Sequence, residues 1–176
     1  MNQRFRDRAP VLPDLLRPGL DVVFCGSAAG AASARLGAYY AGPGNRFWPT
    51  LFETGILPRR LAPEEFRGAL DHGIGLTDLA KFASGADSAL ARAADDPEAF
   101  IRKIETAQPR AVAFVGCRAA KVVLGRAVEP GRQEDWIGAS VVFVLPSPSG
   151  AARGYWDPEP WRALATFLGR GPAQNP

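Results

Sequence analysis

Short apolar runs alternate along the chain with segments in which apolar residues recur every three or four positions. Four of these runs are strand-sized and mostly apolar, which is typical of strands buried on both faces of a sheet. They cover residues 21–26, 73–79, 111–116 and 140–145. Because strands that alternate with helices pair in parallel through right-handed crossovers, the pattern predicts a three-layer α/β/α sandwich with a short, mainly parallel four-stranded central sheet.

Helix start signals stand between these runs. Asn45 can cap a helix that ends near Thr54, and prolines beside acidic residues favour two further helix starts. The predicted helices cover residues 45–54, 63–71, 95–108, 118–126 and 158–168. Residues 27–33 contain only Gly, Ala and Ser, and they are predicted as a loop.

The order of strands and helices indicates where a ligand would bind. Parallel strands end at one edge of the sheet, and open α/β sheets bind ligands beyond that edge. His72, the only histidine, precedes the second strand, so we expect a structural residue at the opposite edge. The segments that converge at the ligand edge are residues 27–33, 78–85, 117–121 and 146–153.

Composition narrows the class of protein. The chain has 176 residues, of which 47% are hydrophobic and 22% charged, and this suits one compact domain with a core of its own. Its two cysteines are too few for a disulfide scaffold or a four-cysteine metal site, so we expect a cytoplasmic protein. No apolar stretch reaches the roughly 18 residues that a membrane span needs. We predict a flexible basic arm over residues 1–12, one domain over 13–170 and a tail over 171–176.

The charge of the chain is compatible with nucleic acid but does not require it. The formal net charge is +3, and 18 of the 21 basic residues are arginine. Arginine recognises phosphate well, yet genomic base composition also enriches it. Charge alone therefore leaves both interpretations open.

Three segments at the ligand edge could carry chemistry. Residues 26–33 match neither a Walker loop nor the G-x-G-x-x-G spacing, which disfavours a nucleotide cofactor. Their small side chains would let a planar ligand reach backbone N–H groups, although a tight turn without ligand is the alternative.

The other two segments are residues 39–48 and 146–153. Tyr39 and Tyr40 could place a ring in the mouth of the site, while Phe47 and Trp48 are predicted to lie in the core. Residues 146–153 could grip phosphates or form an ordinary polar turn.

Taken together, these segments resemble the mismatch-specific uracil/thymine DNA glycosylases of the uracil-DNA glycosylase superfamily. Residues 41–48 (AGPGNRFW) are similar to the family's A-x-P-x-N-R-F-W segment. Residues 73–79 (GIGLTDL) match its G-x-T strand, and residues 144–153 (VLPSPSGAAR) match V-L-P-N-P-S-G-L-S-R. The resemblance begins at residue 15, covers nearly the whole chain and implies a uracil-DNA glycosylase-like domain.

The resemblance also assigns candidate site residues. Base-binding positions would be Gly26, Ser27, Ala28, Gly30, Tyr40 and Asn45, with Tyr40 stacked on the flipped base. DNA-binding positions would be Ser147, Ser149, Gly150, Ala151 and Arg153, with Arg153 as a charged anchor for phosphate.

Three departures from the family pattern matter for mechanism. Ala28 stands where the family has the Asn that positions the attacking water, and Ser147 replaces another Asn. Ala151 replaces the bulky residue that wedges into duplex DNA. Asp78 closes the second strand and is the best candidate for the lost catalytic work, with a helix or turn cap as the alternative.

The sequence therefore predicts a monofunctional DNA glycosylase that flips out and excises uracil, or a related deaminated base, in base excision repair. It would act as a cytoplasmic, nucleoid-associated monomer on single- or double-stranded DNA, without metal or organic cofactor. None of the motifs contains a lysine nucleophile, which argues against a lyase step. Two alternatives remain: a lesion- or abasic-site-binding protein that has lost catalysis, and an enzyme acting on free nucleosides.

Overall fold

The computed structural model describes residues 9–86 and 94–171, and a five-stranded sheet lies at its centre. The strand order is β2-β1-β3-β5-β4, with β1, β2, β3 and β5 parallel and β4 antiparallel to β5. This mixed sheet with its helices confirms the predicted fold class. The strands are β1 (Val22–Gly26), β2 (Ile74–Asp78), β3 (Ala111–Val115), β4 (Gly131–Ile137) and β5 (Ser140–Leu145).

The predicted count of four strands is wrong because β4 was missed. Exposure alternates along β4, and only its last residue, Ile137, is buried. The outward positions include Trp136, so the large apolar residue of this strand faces away from the core. An edge strand needs only one pairing neighbour and few apolar side chains, which leaves little hydrophobic signal in its sequence.

Within residues 9–86 and 94–171, five α-helices and two 3₁₀ helices accompany the strands. The α-helices are α1 (Ala31–Leu36), α2 (Phe47–Glu53), α3 (Pro97–Ala107), α4 (Cys117–Leu124) and α5 (Glu159–Phe167), and the 3₁₀ helices are Pro63–His72 and Gly150–Tyr155. Asn45 accepts a hydrogen bond from the Phe47 N–H at 2.9 Å. The N-cap of α2 is Arg46, however, so the helix begins one residue later than a cap at Asn45 predicts. The predicted loop 27–33 is wrong in its last three residues, because α1 already begins at Ala31.

Helices cover both faces of the sheet. The side chains of α2, α5 and the 3₁₀ helix 63–72 form one core with β1, including Phe47 and Trp48, which confirms that both are core residues. The side chains of α3 and α4 form the second core on the opposite face. His72 lies at the amino-terminal end of β2, at the edge expected for a structural residue. In the described ranges, no helix is long and apolar enough to cross a membrane.

Candidate active site

Two loops lie side by side where β1 and β2 end. Gly26 and Asp78 are opposite one another in the last register pair of these strands. The Leu79 N–H donates to the Gly26 carbonyl at 2.9 Å, and the Ala80 N–H donates to the Ser27 carbonyl at 2.8 Å. Further along, the N–H of residue 85 donates to the carbonyl of residue 29 at 2.9 Å. Loop 79–85 therefore holds the predicted base-binding loop 27–30 in place.

The Asp78 carboxylate extends over Gly26. A Cβ atom built on Gly26 would lie 2.5 Å from Asp78 Oδ1 and 3.3 Å from Tyr40 Oη. Within residues 9–86 and 94–171, no hydrogen bond to the carboxylate of Asp78 is formed, so it caps no helix or turn there. The carboxylate lies at the start of loop 27–30, as a catalytic role requires, and that role stays a prediction.

Burial governs the charge of Asp78. The residue is 5% exposed, and this burial raises the pKa of its carboxyl group from 3.8 to about 6. Lys81 and Lys103 oppose the rise in pKa, whereas Asp14 adds to it. Asp78 is therefore largely ionised at neutral pH and becomes protonated as the pH falls through about 6.

Tyr40 lies against the same point of the site. Its ring stacks on Phe47 with centroids 3.8 Å apart and planes 19° apart, so one face of the ring is already covered. Its hydroxyl is buried and has no hydrogen-bond partner among the described residues. Burial and the nearby Asp78 raise the pKa of the Tyr40 phenol well above its usual value, which keeps it a hydrogen-bond donor. A buried donor without a partner is costly, and a bound ligand or water would satisfy it.

Tyr39 is placed differently from its neighbour. It is 1% exposed, and its hydroxyl donates to the Pro13 carbonyl at 3.1 Å. The prediction that its ring could reach the mouth of the site is therefore wrong. The chain separates the two tyrosines by giving Tyr40 a left-handed φ of 55°, a conformation that is strained for a residue with a side chain.

The turn 42–46 packs against the predicted phosphate loop. The Arg46 N–H donates to the Pro148 carbonyl at 2.8 Å. A Cβ atom on Gly150 would lie 3.3 Å from the Pro43 carbonyl oxygen, so a glycine fits this close approach. The Asn45 side-chain oxygen accepts from the Phe47 N–H, which leaves its amide nitrogen for a base. The structure thus brings Asn45 and the loop 146–150 together at one edge of the sheet.

The serines of that loop have local partners. Ser147 Oγ accepts from the Ser149 N–H at 3.4 Å, and Ser149 Oγ accepts from the Ala151 N–H at 3.2 Å. Each hydroxyl proton can still be donated to a phosphate. Ala151 is exposed at the start of the 3₁₀ helix. Arg153 lies in the same helix, but its side chain is outside the described part of the structure.

The remaining predicted base-binding positions carry no ionisable group. Ser27 is buried, Ala28 is half-buried and Gly30 is exposed. Ala28 has no group that could orient water, so the loop offers the ligand mainly its backbone. Within the described residues, no group of three or more His, Cys, Asp or Glu side chains could hold a metal ion.

Sequence reasoning missed a group of charged side chains beside the site. Asp14, Lys81 and Lys103 form a contiguous ion-pair cluster next to Thr77, the residue that precedes Asp78. Asp14 and Lys103 lie 63 positions before and 26 positions after Thr77 in the numbering, in segments without a motif. No short-range pattern brings such positions together, so only the fold reveals the cluster.

The raised pKa of Asp78 predicts a cost to stability. When the pKa of a group is higher in the folded than in the unfolded state, the free energy of unfolding falls as the pH rises from the unfolded-state pKa to the folded-state pKa. For Asp78 the shift in pKa corresponds to a loss of about 3 kcal/mol at most. We expect Asp78→Asn to be more stable than the wild type by about 1–3 kcal/mol at pH 8, with the difference lost near pH 4. Urea denaturation at both pH values measures this.

The control for this prediction is Asp71→Asn, which removes an exposed carboxylate from the 3₁₀ helix 63–72. It should change stability by a few tenths of a kcal/mol at most. An Asp78→Asn protein that is less stable than the wild type at pH 8 would mean that favourable contacts hold the carboxylate in place.

Comparison with known proteins gives two results. A sequence model described as the uracil DNA glycosylase superfamily matches residues 13–167. The fold is also similar to the solution NMR structure of a "putative Uracil DNA glycosylase" from Methanosarcina acetivorans, with a TM-score of 0.65 and 25% sequence identity. That match covers 90% of this chain and 97% of the other.

Proposed function

We infer that this chain, which belongs to the uracil DNA glycosylase superfamily, is a monofunctional DNA glycosylase that excises uracil or a related deaminated base. The observation that carries the proposal is the buried Asp78 carboxylate over Gly26, beside a loop whose usual Asn is Ala28. The site would act on DNA as a monomer, in the cytoplasm and near the nucleoid, without metal or organic cofactor.

Base flipping comes first. A base within a duplex cannot reach a pocket at the sheet edge, so the nucleotide must rotate out at a cost of a few kcal/mol, smallest for mispaired or single-stranded bases. Tyr40 would stack on the flipped base with the ring face that Phe47 leaves uncovered. Backbone N–H groups of residues 27–30 and the Asn45 amide would bind the polar edge of the base.

Hydrolysis then breaks the bond between the sugar C1′ atom and the base nitrogen. The bonding electron pair leaves with the base, which becomes an anion stabilised by the N–H donors, while the sugar gains positive charge. The ionised Asp78 carboxylate would stabilise that positive charge and orient a water molecule. The water oxygen bonds to C1′, and its proton is released towards Asp78 and finally to the base or solvent. The products are an abasic site and the free base.

The loop 146–153 would hold the DNA backbone. The Ser147 and Ser149 hydroxyls, the Gly150 backbone and Arg153 are suited to phosphate oxygens, which position DNA without reading its sequence. Ala151 would lie beside the gap that the flipped nucleotide leaves. Because this loop packs on the turn that carries Asn45, phosphate binding would place the flipped base near Asp78.

A panel of oligonucleotides tests the proposal. It contains uracil, hypoxanthine, xanthine and an etheno base, each in single-stranded and in duplex form, with excess enzyme and direct detection of the free base. Release of free base supports a glycosylase. Retarded migration of lesion DNA without any release would favour the lesion-binding alternative, and release from mononucleosides that is insensitive to salt would favour a nucleoside enzyme.

Strand preference gives a further prediction. Because Ala151 is too small to fill the gap in a duplex, we expect single-stranded uracil to be cleaved at least as fast as uracil in a G·U pair. Ala151→Leu should shift the ratio of the two rates towards the duplex by several-fold. Single-turnover rates on matched single-stranded and duplex oligonucleotides measure this ratio.

The matched control is Ala62→Leu, which adds the same side chain at an exposed alanine before the 3₁₀ helix 63–72. It should leave the ratio unchanged. A wild-type enzyme that cleaves G·U duplexes and ignores single strands would refute the strand-preference prediction.

A further inference from the structure

A partly buried charge cluster lies at the outer edge of β2, next to the site, where Leu15 pairs with Leu76. The Asp14 carboxylate is at its centre, with Oδ1 2.8 Å from Lys81 Nζ and Oδ2 2.6 Å from Lys103 Nζ. The Lys81 side chain is only 8% exposed, and it serves no step of the mechanism described above. A lysine is rarely buried to this extent unless its charge is paired.

The cluster contacts the residues that precede both Asp78 and Tyr40 in the chain. Thr77 Oγ1 donates to Asp14 Oδ1 at 2.7 Å, which ties the cluster to the end of β2. Lys81 Nζ donates to the Tyr39 hydroxyl at 3.1 Å, which ties it to the turn where Tyr40 adopts its left-handed conformation. One network therefore supports both side chains that lie against Gly26.

The charges of the cluster are not balanced within it. Two ammonium groups and one carboxylate leave a net charge of +1. Although burial would raise the pKa of Asp14, Lys81, Lys103 and Thr77 lower it, so Asp14 stays ionised at neutral pH. Together with Asp78, the cluster becomes neutral only when Asp78 is ionised as well.

The other titratable groups that interact with Asp78 are uncharged. Tyr39 and Cys25 are buried and Tyr40 is partly buried, with its hydroxyl enclosed. Burial, with Asp78 next, raises the pKa of each above its usual value. The charge of Asp78 is therefore balanced by Lys81 and Lys103, with Asp14 acting against them.

We propose that Lys81 is a positioning residue of this site, which together with Lys103 keeps Asp78 ionised over Gly26 at neutral pH against the opposing charge of Asp14. The predicted effect of Lys81 on the pH dependence of base release rests on the proposed function. The predicted effect of Lys81 on the titration of Asp78 depends only on the arrangement of the four charged groups.

The pH dependence of uracil release gives the first test. The wild-type single-turnover rate should fall below a midpoint near pH 6, where Asp78 becomes protonated. Lys81→Met removes the favourable charge, so the midpoint should rise by about one pH unit or more. Asp14→Asn removes the unfavourable charge, so the midpoint should move to lower pH.

A merely structural role would not produce shifts of opposite sign. Loss of packing in either variant would lower the rate without moving the midpoints apart. Lys103→Met is a milder change because its side chain is 33% exposed, and it should raise the midpoint by less than Lys81→Met. The control is Arg102→Met, which removes an exposed charge on the same helix and should leave the midpoint unchanged.

A titration of the Asp78 carboxyl carbon by NMR, without DNA, gives the second test. The same opposite shifts in Lys81→Met and Asp14→Asn support the proposal even if the wild type releases no base, in which case only the proposed function fails. If the wild type releases uracil with a midpoint near pH 6 but both variants keep that midpoint, or shift it in the same direction, the role of Lys81 is overturned.

Discussion

Asp78→Asn should lower the single-turnover rate of uracil release by a factor of about 100 or more, the scale of general-base and preorganised electrostatic contributions. The amide keeps the size of the side chain but removes the negative charge that would stabilise the sugar cation. Because Asp78 is buried over Gly26 and is not among the proposed phosphate contacts, DNA binding should change by only a few-fold. Rapid-quench kinetics and a DNA-binding titration with the same oligonucleotide separate the two effects.

Two further variants make this prediction specific. Asp71→Asn changes an exposed carboxylate outside the site and should keep the wild-type rate. Adding Ala28→Asn to Asp78→Asn should restore part of the activity if both positions address the same water molecule. An Asp78→Asn protein that turns over at nearly the wild-type rate would remove Asp78 from the mechanism and favour a different catalytic group.

Gly26→Ala is expected to have the second largest effect. The new methyl group would lie 2.5 Å from Asp78 Oδ1 and 3.3 Å from Tyr40 Oη, which is closer than atoms can approach without movement. A short carboxylate side chain has little freedom to retreat, so Asp78 and Tyr40 must shift away from the site. We expect the rate of uracil release to fall at least 10-fold, because small displacements of catalytic groups have large kinetic effects.

The control for this change is Gly68→Ala, in the 3₁₀ helix 63–72. A Cβ atom there meets nothing within 4 Å, so both the rate and the fold should be preserved. Circular dichroism of Gly26→Ala should match the wild type, since Gly26 lies in a strand and its φ is not in the left-handed region. Wild-type activity in Gly26→Ala would mean that the Asp78 carboxylate does not need its position over residue 26.

Most of the fold could be predicted because its signals are local. The runs that became β1, β2, β3 and β5 are buried along their whole length and mostly apolar, as strands covered on both faces must be. Their parallel order followed from the helices between them. Strand β4 could not be found in this way, because its single buried residue leaves no run to recognise.

The candidate site could be predicted only in part. That Asp78 closes β2 could be predicted from the sequence, and its place beside the first loop followed only if β1 and β2 were neighbours. The two strands do pair, and the Asp78 carboxylate lies over Gly26. The resemblance selects Tyr40 for the site, and the structure places its hydroxyl beside Gly26. The left-handed φ of Tyr40 has no signal in the sequence. The Asp14 cluster depended on long-range packing along the edge of β2 and had no local signal.

The most direct test of the account is a crystal structure of Asp78→Asn bound to a single-stranded oligonucleotide that contains uracil. We expect the uracil ring to stack on Tyr40, with the edge of the ring against the backbone of residues 27–30. We also expect the side chain of residue 78 to lie within about 3 to 4 Å of the sugar C1′ atom, or to be joined to it through one water molecule. A uracil bound elsewhere, or a residue 78 that is screened from C1′ by other side chains, would contradict it.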